Sequence, residues 1–272
     1  MTYLPVDRYG LIHCDDLEAA IRDDTILISV MTANNEIGTI EPIWGVGKIA
    51  RKHGIAFHTD AVQAIGDIVI DVQELNIDML SLSAHKFHGP KGVGALYVRH
   101  GIALEPLIHG GSQERHMRAG TENVPGIVGL GKAIELTGAA DKSMPKRKHV
   151  TDLRNRFIRQ ILGTMDDTRL IGSDYTTNRL SNNANIYFPR IDSETLLLSL
   201  SLRGISASAG SACTAGEIEP SHVLLAIGMT PQEATHCIRF SFGDDMTEED
   251  VDHICAVLRE IDDMIFDSDA YL

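Results

Sequence analysis

The sequence predicts an α/β protein, with a mostly parallel sheet in a larger first domain and a smaller α+β domain at the C-terminus. The first observation behind this is that short, nearly continuous apolar runs alternate with helical patterns through the first part of the chain. Runs that are apolar throughout suit strands covered on both faces, and covered sheets are mostly parallel. The second is a small, polar and basic stretch, Gly138–Lys148, that separates two long helical patterns. It places the boundary between domains 1–140 and 141–272. The third is composition: the 272 residues are 43% hydrophobic and 23% charged, which is ample for a buried core.

Each element follows from its own pattern. Thr25–Met31 (TILISVM) reads as a strand and runs into the polar turn Asn34-Asn35-Glu36. Ile43–His53 reads as a helix closed by Gly54, a residue suited to the left-handed cap. Ile55–Thr59, Met79–Ser83 and Gly94–Arg99 read as further strands. Beyond the boundary, Val150–Met165 is a basic amphipathic helix, Ala184–Phe188 a strand, and a helix starts near Ser193. Gly204–Ala207 begins a strand that enters a loop of glycine, serine and alanine. The last helix starts near Thr247, with Asp250 three residues on, as in a capping box. Its apolar stripe is Val251, Ile254, Leu258, Ile261 and Ile265.

Charge and cysteine usage remove several function classes. The formal net charge is −14, which argues against a nucleic-acid partner. Eleven acidic side chains and one basic one lie between Asp244 and Leu272, so most of the acidity is local to the last helix and tail. No apolar run is long enough for a membrane span, so no membrane is expected. The N-terminus MTYLPVDRYG lacks the pattern of a secretion signal. Cys14, Cys213, Cys237 and Cys255 are scattered, with no CxxC pair, so neither a disulfide framework nor a zinc site is expected. A reducing cytoplasm is the expected location.

Four clusters carry chemistry. In Ser83-Ala84-His85-Lys86-Phe87-His88-Gly89-Pro90-Lys91-Gly92 a lysine follows a strand directly. Such a lysine can point into a crevice, where burial lowers its pKa and makes a neutral amine for a Schiff base with an aldehyde cofactor. The alternative is a surface lysine in a turn, which is the reading for Lys91. In His58-Thr59-Asp60-Ala61-Val62-Gln63 the carboxylate of Asp60 can pair with a protonated pyridine nitrogen, or it can cap a following helix. Gln63 falls near the same ring. Ser206–Gly216 surrounds Cys213 with small residues, which favours an accessible, reactive thiol, whereas Cys237 and Cys255 read as buried and inert. Arg239 lies in the apolar run CIRFSFG and needs an anionic partner: a substrate carboxylate, or an internal salt bridge.

Together these motifs resemble a known family. The pattern HxDAxQ followed by SxHKxxGPKGxG is similar to pyridoxal-phosphate enzymes of fold type I. It most resembles their aminotransferase class V branch and, within it, the NifS/IscS-type cysteine desulfurases. Asn34-Asn35-Glu36-Ile37-Gly38, His109-Gly110-Gly111, Gln113-Glu114-Arg115 and Arg118-Ala119-Gly120-Thr121-Glu122-Asn123 fit the same pattern. The resemblance runs over essentially the whole chain. It implies the fold type I architecture, here with an incomplete large domain, because the family carries a further segment ahead of the point matching Met1. The chain alone is therefore expected to bind pyridoxal phosphate weakly and to have little activity.

The resemblance also implies roles. Lys86 carries pyridoxal phosphate and shuttles protons. Asp60 holds the pyridinium nitrogen, Gln63 the ring hydroxyl, and Ser83 and His85 the phosphate. Asn35 sits by the cofactor and the substrate carboxylate, and Arg239 clamps that carboxylate. Thr121 reaches the phosphate of a neighbouring subunit, which implies a homodimer. Cys213 takes sulfur from L-cysteine, leaving alanine, and passes the persulfide to an acceptor such as an iron–sulfur scaffold. No resident metal is implied, although Cys213 is the residue that would touch a transferred cluster. Selenocysteine lyase or another class V enzyme, and a truncated homologue acting as a binding subunit, remain as other readings.

Overall fold

The computed structural model describes residues 1–138, 145–209 and 220–269. Internal contacts divide the chain into two units. One holds Leu17–Thr32 and Pro42–Ser143, and the other Met1–Asp16, Ala33–Glu41 and Met144–Leu272. Two segments from the first part of the sequence, including the turn with Asn35, thus belong to the unit that contains the C-terminal part.

The first unit includes, in chain order, the end of α1 (Cys14–Ala20), β1 (Leu27–Met31), α2 (Ile43–His53), β2 (Ala56–Asp60), β3 (Met79–Ser83), β4 (Gly94–Val98) and α3 (Val124–Thr137). The strands form one sheet in the order β1-β2-β3-β4. β1, β2 and β3 run parallel, and β4 is antiparallel to β3. Side chains alternate across it. Ile28, Phe57, Thr59 and Leu80 are buried on one face. Ser29, His58, Asp60, Ser81 and Ser83 take the alternate positions, where Ser29 and Leu27 on the edge strand are exposed and the others half-buried. Helix α2 buries Ile43, Val46, Gly47 and Ala50. It ends at Gly54, whose φ of 66° lets its N–H close on the carbonyls of Ala50 and Arg51. The Asn123 side chain caps α3 by accepting the Gly126 N–H.

The second unit contains α4 (Pro145–Thr164), β5 (Arg169–Ile171), β6 (Asn183–Tyr187), α5 (Ser193–Ser201), β7 (Ser208–Ala209), α6 (His222–Ala226), α7 (Pro231–Ala234), β8 (Cys237–Ser241) and α8 (Glu248–Asp269). Its sheet is antiparallel throughout, in the order β5-β6-β8-β7. Ala184 and Ile186 of β6, with Ile238 and Phe240 of β8, face Leu153, Phe157 and Ile161 of α4 and Val251, Cys255 and Leu258 of α8. Phe157 is the hub, its ring centroid 4.7 Å from Phe240 and 5.4 Å from Phe242. The other face of the same strands carries Asn183, Asn185, Ser208 and Arg239. Helix α4 starts at Pro145, inside the stretch read as a linker, because proline suits the first helical turn. The capping box of α8 is present: Thr247 Oγ1 accepts the Asp250 N–H, and Asp250 Oδ2 accepts the Thr247 N–H. Among the described residues no helix is long and apolar enough to cross a membrane.

Candidate active site

The first group of predicted residues stands at the C-terminal ends of β2 and β3. These strands are parallel neighbours, with Asp60 opposite Ser81 in register. The carboxyl ends of adjacent parallel strands are where α/β sheets bind ligands. Asp60 Oδ1 accepts the Val62 N–H at 2.9 Å, forming an Asx turn. The alternative reading, a cap on a following helix, is not what forms, because turns follow β2 over residues 62–67. Asp60 Oδ2 makes no hydrogen bond among the described residues, so it remains available to a ligand. Gln63 is half-buried in the same run of turns.

Ser83 is the last residue of β3, and its Oγ lies 3.1 Å from His85 Nδ1. A 3-10 turn spans Ala84–Phe87. At three residues per turn, Ala84 and Phe87 share its inner side and are buried. His85 and Lys86 therefore face outward, and both are exposed. Of the two readings open for Lys86, a crevice or a surface turn, the described residues place it at the surface: the short turn lifts it off the core layer.

His58 ties the three parallel strands together just before Asp60. Its Nδ1 lies 2.8 Å from Ser29 Oγ on β1, and its Nε2 2.9 Å from Ser81 Oγ on β3. Partial burial lowers its pKa, opposed by the charge of Asp60.

The second group is built around the turn Asn34–Gly38. Asn34 Oδ1 accepts the N–H groups of Glu36 and Ile37 at 2.8 and 3.1 Å. Gly38 has φ 71°, and a Cβ there would meet Asn183 Oδ1 at 2.5 Å, so the turn needs glycine. Asn183 Nδ2 donates to the carbonyls of Asn35 and Glu36 at 3.3 and 3.2 Å. Arg179 Nη1 orients that amide by donating to Asn183 Oδ1 at 3.0 Å. Asn185 Nδ2 donates to the Glu36 carbonyl at 3.1 Å, and Ser221 Oγ to Glu36 Oε2 at 2.5 Å. Arg239 Nη1 reaches the Asn35 carbonyl at 3.2 Å.

Arg239 has no ion pair among the described residues, so the internal salt bridge weighed as its alternative is absent there. Its Nε is buried without a hydrogen-bond partner. A guanidinium held by neutral acceptors keeps its charge for an anionic ligand. The asparagines of β6 were not singled out in the sequence, although their spacing in NNANIYF places alternate amides on one face.

Cys213 lies outside the described residues. Cys237 and Cys255 are buried, and burial pushes both thiols up to about 12, so they are inert as read. Cys14 is half-buried, and burial raises its pKa as well. Thr121 is exposed, just ahead of α3, whose Val124 and Val128 are 60% and 66% exposed.

The family model for aminotransferase class V matches residues 1–254. The chain belongs to the aminotransferase class V family. It is 56% identical over 262 residues to the cysteine desulfurase IscS of Methanosarcina thermophila, a match covering 96% of this chain and 63% of that one. The chain thus spans about 63% of the length of this curated relative. A solved NifS-like protein matches with a TM-score of 0.86 at 39% identity, over 97% of this chain and 68% of that one. A structure titled SspA in complex with cysteine matches with a TM-score of 0.73 at 41% identity, over 89% and 65% of the two chains. The mixed α/β fold with its parallel sheet is that of these class V relatives.

The residues of the first group fit the pyridoxal phosphate of this family by their chemistry. A carboxylate oxygen without a partner (Asp60) suits a pyridinium nitrogen, and a primary amine (Lys86) suits an aldehyde. The hydroxyl and imidazole of Ser83 and His85 suit a phosphate, and Gln63 a ring hydroxyl.

Proposed function

We propose that the chain acts in a pyridoxal-phosphate-dependent cysteine desulfurase, taking sulfur from L-cysteine and leaving L-alanine. The observation that carries this is Arg239, half-buried with, among the described residues, an unpartnered Nε and no carboxylate of its own. A free amino-acid carboxylate is the group it suits. The desulfurase names of the relatives support the same reaction class.

Bound pyridoxal phosphate supplies the electron sink that lets the substrate Cα lose its proton. Lys86 Nζ anchors it and moves that proton. Asp60 holds the ring nitrogen in its charged form, Gln63 the ring hydroxyl, and Ser83 and His85 the phosphate. Asn35 and Arg239 orient the substrate carboxylate. The Cys213 thiolate attacks the sulfur of the substrate: the Cβ–S bond breaks with its electron pair left on Cβ, which takes up a proton to become the methyl group of alanine, and an S–S bond forms on Cys213. The persulfide passes to an acceptor protein, such as an iron–sulfur scaffold, in a reducing cytoplasm where the thiol persists. The active form is a homodimer in which Thr121 contacts the phosphate of the second subunit. The exposed apolar residues of α3 give that subunit a surface to cover.

The test is alanine formation from L-cysteine by the full chain with added pyridoxal phosphate. Borohydride trapping and peptide mapping read cofactor attachment. A cofactor label on Lys86, absent in Lys86→Ala, and sulfur on Cys213, absent in Cys213→Ser, are the expected results. A label spread evenly over surface lysines, with no sulfur carried on Cys213, overturns the reading.

A further inference from the structure

Among the described residues, two buried side-chain polar atoms have no hydrogen-bond partner, and they belong to neighbouring residues: Asn185 Oδ1 and Arg239 Nε. The two residues are directly opposed in the antiparallel register of β6 and β8. Opposed residues of such a pair project from the same face of the sheet, with Cβ atoms about 4.5–5.5 Å apart. Asn185 is 0% exposed. Its amide cannot turn over without loss, because Nδ2 is committed to the Glu36 carbonyl at 3.1 Å. The oxygen is therefore held as an acceptor beside a guanidinium donor.

We infer that Asn185 is a further substrate-contacting residue, whose Oδ1 accepts a hydrogen bond from the α-amino group of an amino acid held at its carboxylate by Arg239. This deepens the proposed function and rests on the reading of Arg239 as the carboxylate clamp. A ligand that satisfies both atoms must offer an acceptor to Nε and a donor to Oδ1 on neighbouring groups. A simple carboxylate offers only the first and presents its own oxygens to Oδ1. An α-amino acid offers both from substituents of one carbon. The neutrality of Asn185 belongs to the same design: an aspartate opposite Arg239 would ion-pair with it and compete with the ligand carboxylate.

The test uses the full chain without added cofactor, so that no bond to an aldehyde contributes. Calorimetric titrations with L-alanine and with propionate are compared for the wild type, Asn185→Leu, Asn185→Asp and Arg239→Gln. The wild type is expected to prefer alanine by about tenfold or more, as one charge-assisted hydrogen bond provides. Asn185→Leu brings the ratio of the affinities close to one while propionate still binds. Asn185→Asp weakens propionate more than alanine, so its ratio rises. Arg239→Gln weakens both ligands. A merely structural role for Asn185 shifts both affinities together and leaves the ratio unchanged, and that result overturns the inference. Circular dichroism reports folding; should Asn185→Leu not fold, an unchanged ratio in Asn185→Asp overturns it in the same way. No wild-type preference for alanine over propionate overturns it as well. Arg239→Gln that weakens neither ligand, or no binding of either ligand by the wild type, sinks the Arg239 reading and the inference with it.

Discussion

The carbonyl oxygen of Asn35 lies 3.2 Å from Arg239 Nη1, although 204 positions separate the two residues in the chain. The same turn is gripped by Asn183 and Asn185 of β6, so the guanidinium and the turn are held by one polar sheet face. Lysine at position 239 keeps the charge and loses the forked donor geometry. Arg239→Lys is expected to raise the KM for L-cysteine by about tenfold or more while kcat changes less, because what is lost is carboxylate binding. Steady-state alanine formation checks this, and an unchanged KM speaks against the clamp.

Asp60 presents, at the end of β2, a carboxylate oxygen without a partner among the described residues. Asp60→Asn keeps the size and removes the charge that favours a protonated pyridine nitrogen. Retention of pyridoxal phosphate, followed by its visible absorption during dialysis, is expected to fall by about tenfold. Retention equal to the wild type counts against this role.

Glu41 is buried, 8% exposed, with Oε2 accepting the Ile12 N–H at 3.1 Å. Burial pushes its carboxyl from 4.5 to about 7, with Asp7 adding to the rise. The folded state thus binds the proton more tightly than the unfolded one. The stabilisation is present in full below pH 4.5 and is lost as pH rises through about 7. Glu41→Gln keeps an oxygen acceptor for Ile12 and removes this loss. Urea unfolding is expected to show the variant more stable than the wild type at pH 8, by on the order of 3 kcal/mol, with the gap closing toward pH 4. Parallel pH profiles for the two proteins contradict the assignment.

His58 shows the opposite sense. Burial between Ser29 and Ser81 favours its neutral form and lowers its pKa from 6.5. The unfolded state therefore takes up the proton first, and stability falls as pH drops below 6.5. His58→Gln is expected to flatten that part of the profile. A slope identical to the wild type in thermal unfolding below pH 6.5 excludes His58 as its source.

Cys237 and Cys255, both pushed up to about 12 by burial, have almost no thiolate at neutral pH. An aromatic disulfide reagent at pH 7 is expected to leave both unmodified until the chain is denatured, as mass mapping of the labelled peptides would show. Labelling of either in the native chain contradicts their burial.

Much of this was legible in local pattern. The strands at Met79–Ser83 and Gly94–Val98, the helix closed by Gly54 and the capping box of Thr247 with Asp250 follow from side-chain periodicity and cap chemistry, which act within a few residues. The motif around Lys86 and Asp60 was legible for the same reason: each lies directly after a strand. The exposure of Lys86 was not, because it follows from the 3-10 turn, which gives its inner positions to Ala84 and Phe87. Nor was the role of Asn183 and Asn185, whose partners lie in a turn more than a hundred positions earlier.

By itself the sequence determined the family, the chemistry-bearing residue types and the elements that carry them, since these depend on order along the chain. Only the tertiary structure decided which turn Arg239 touches, that no described carboxylate neutralises it, and that Asn185 stands opposite it with a free oxygen. Those facts depend on strand register, which brings residues distant in sequence to a few ångströms of one another and settles which polar groups are left to a ligand.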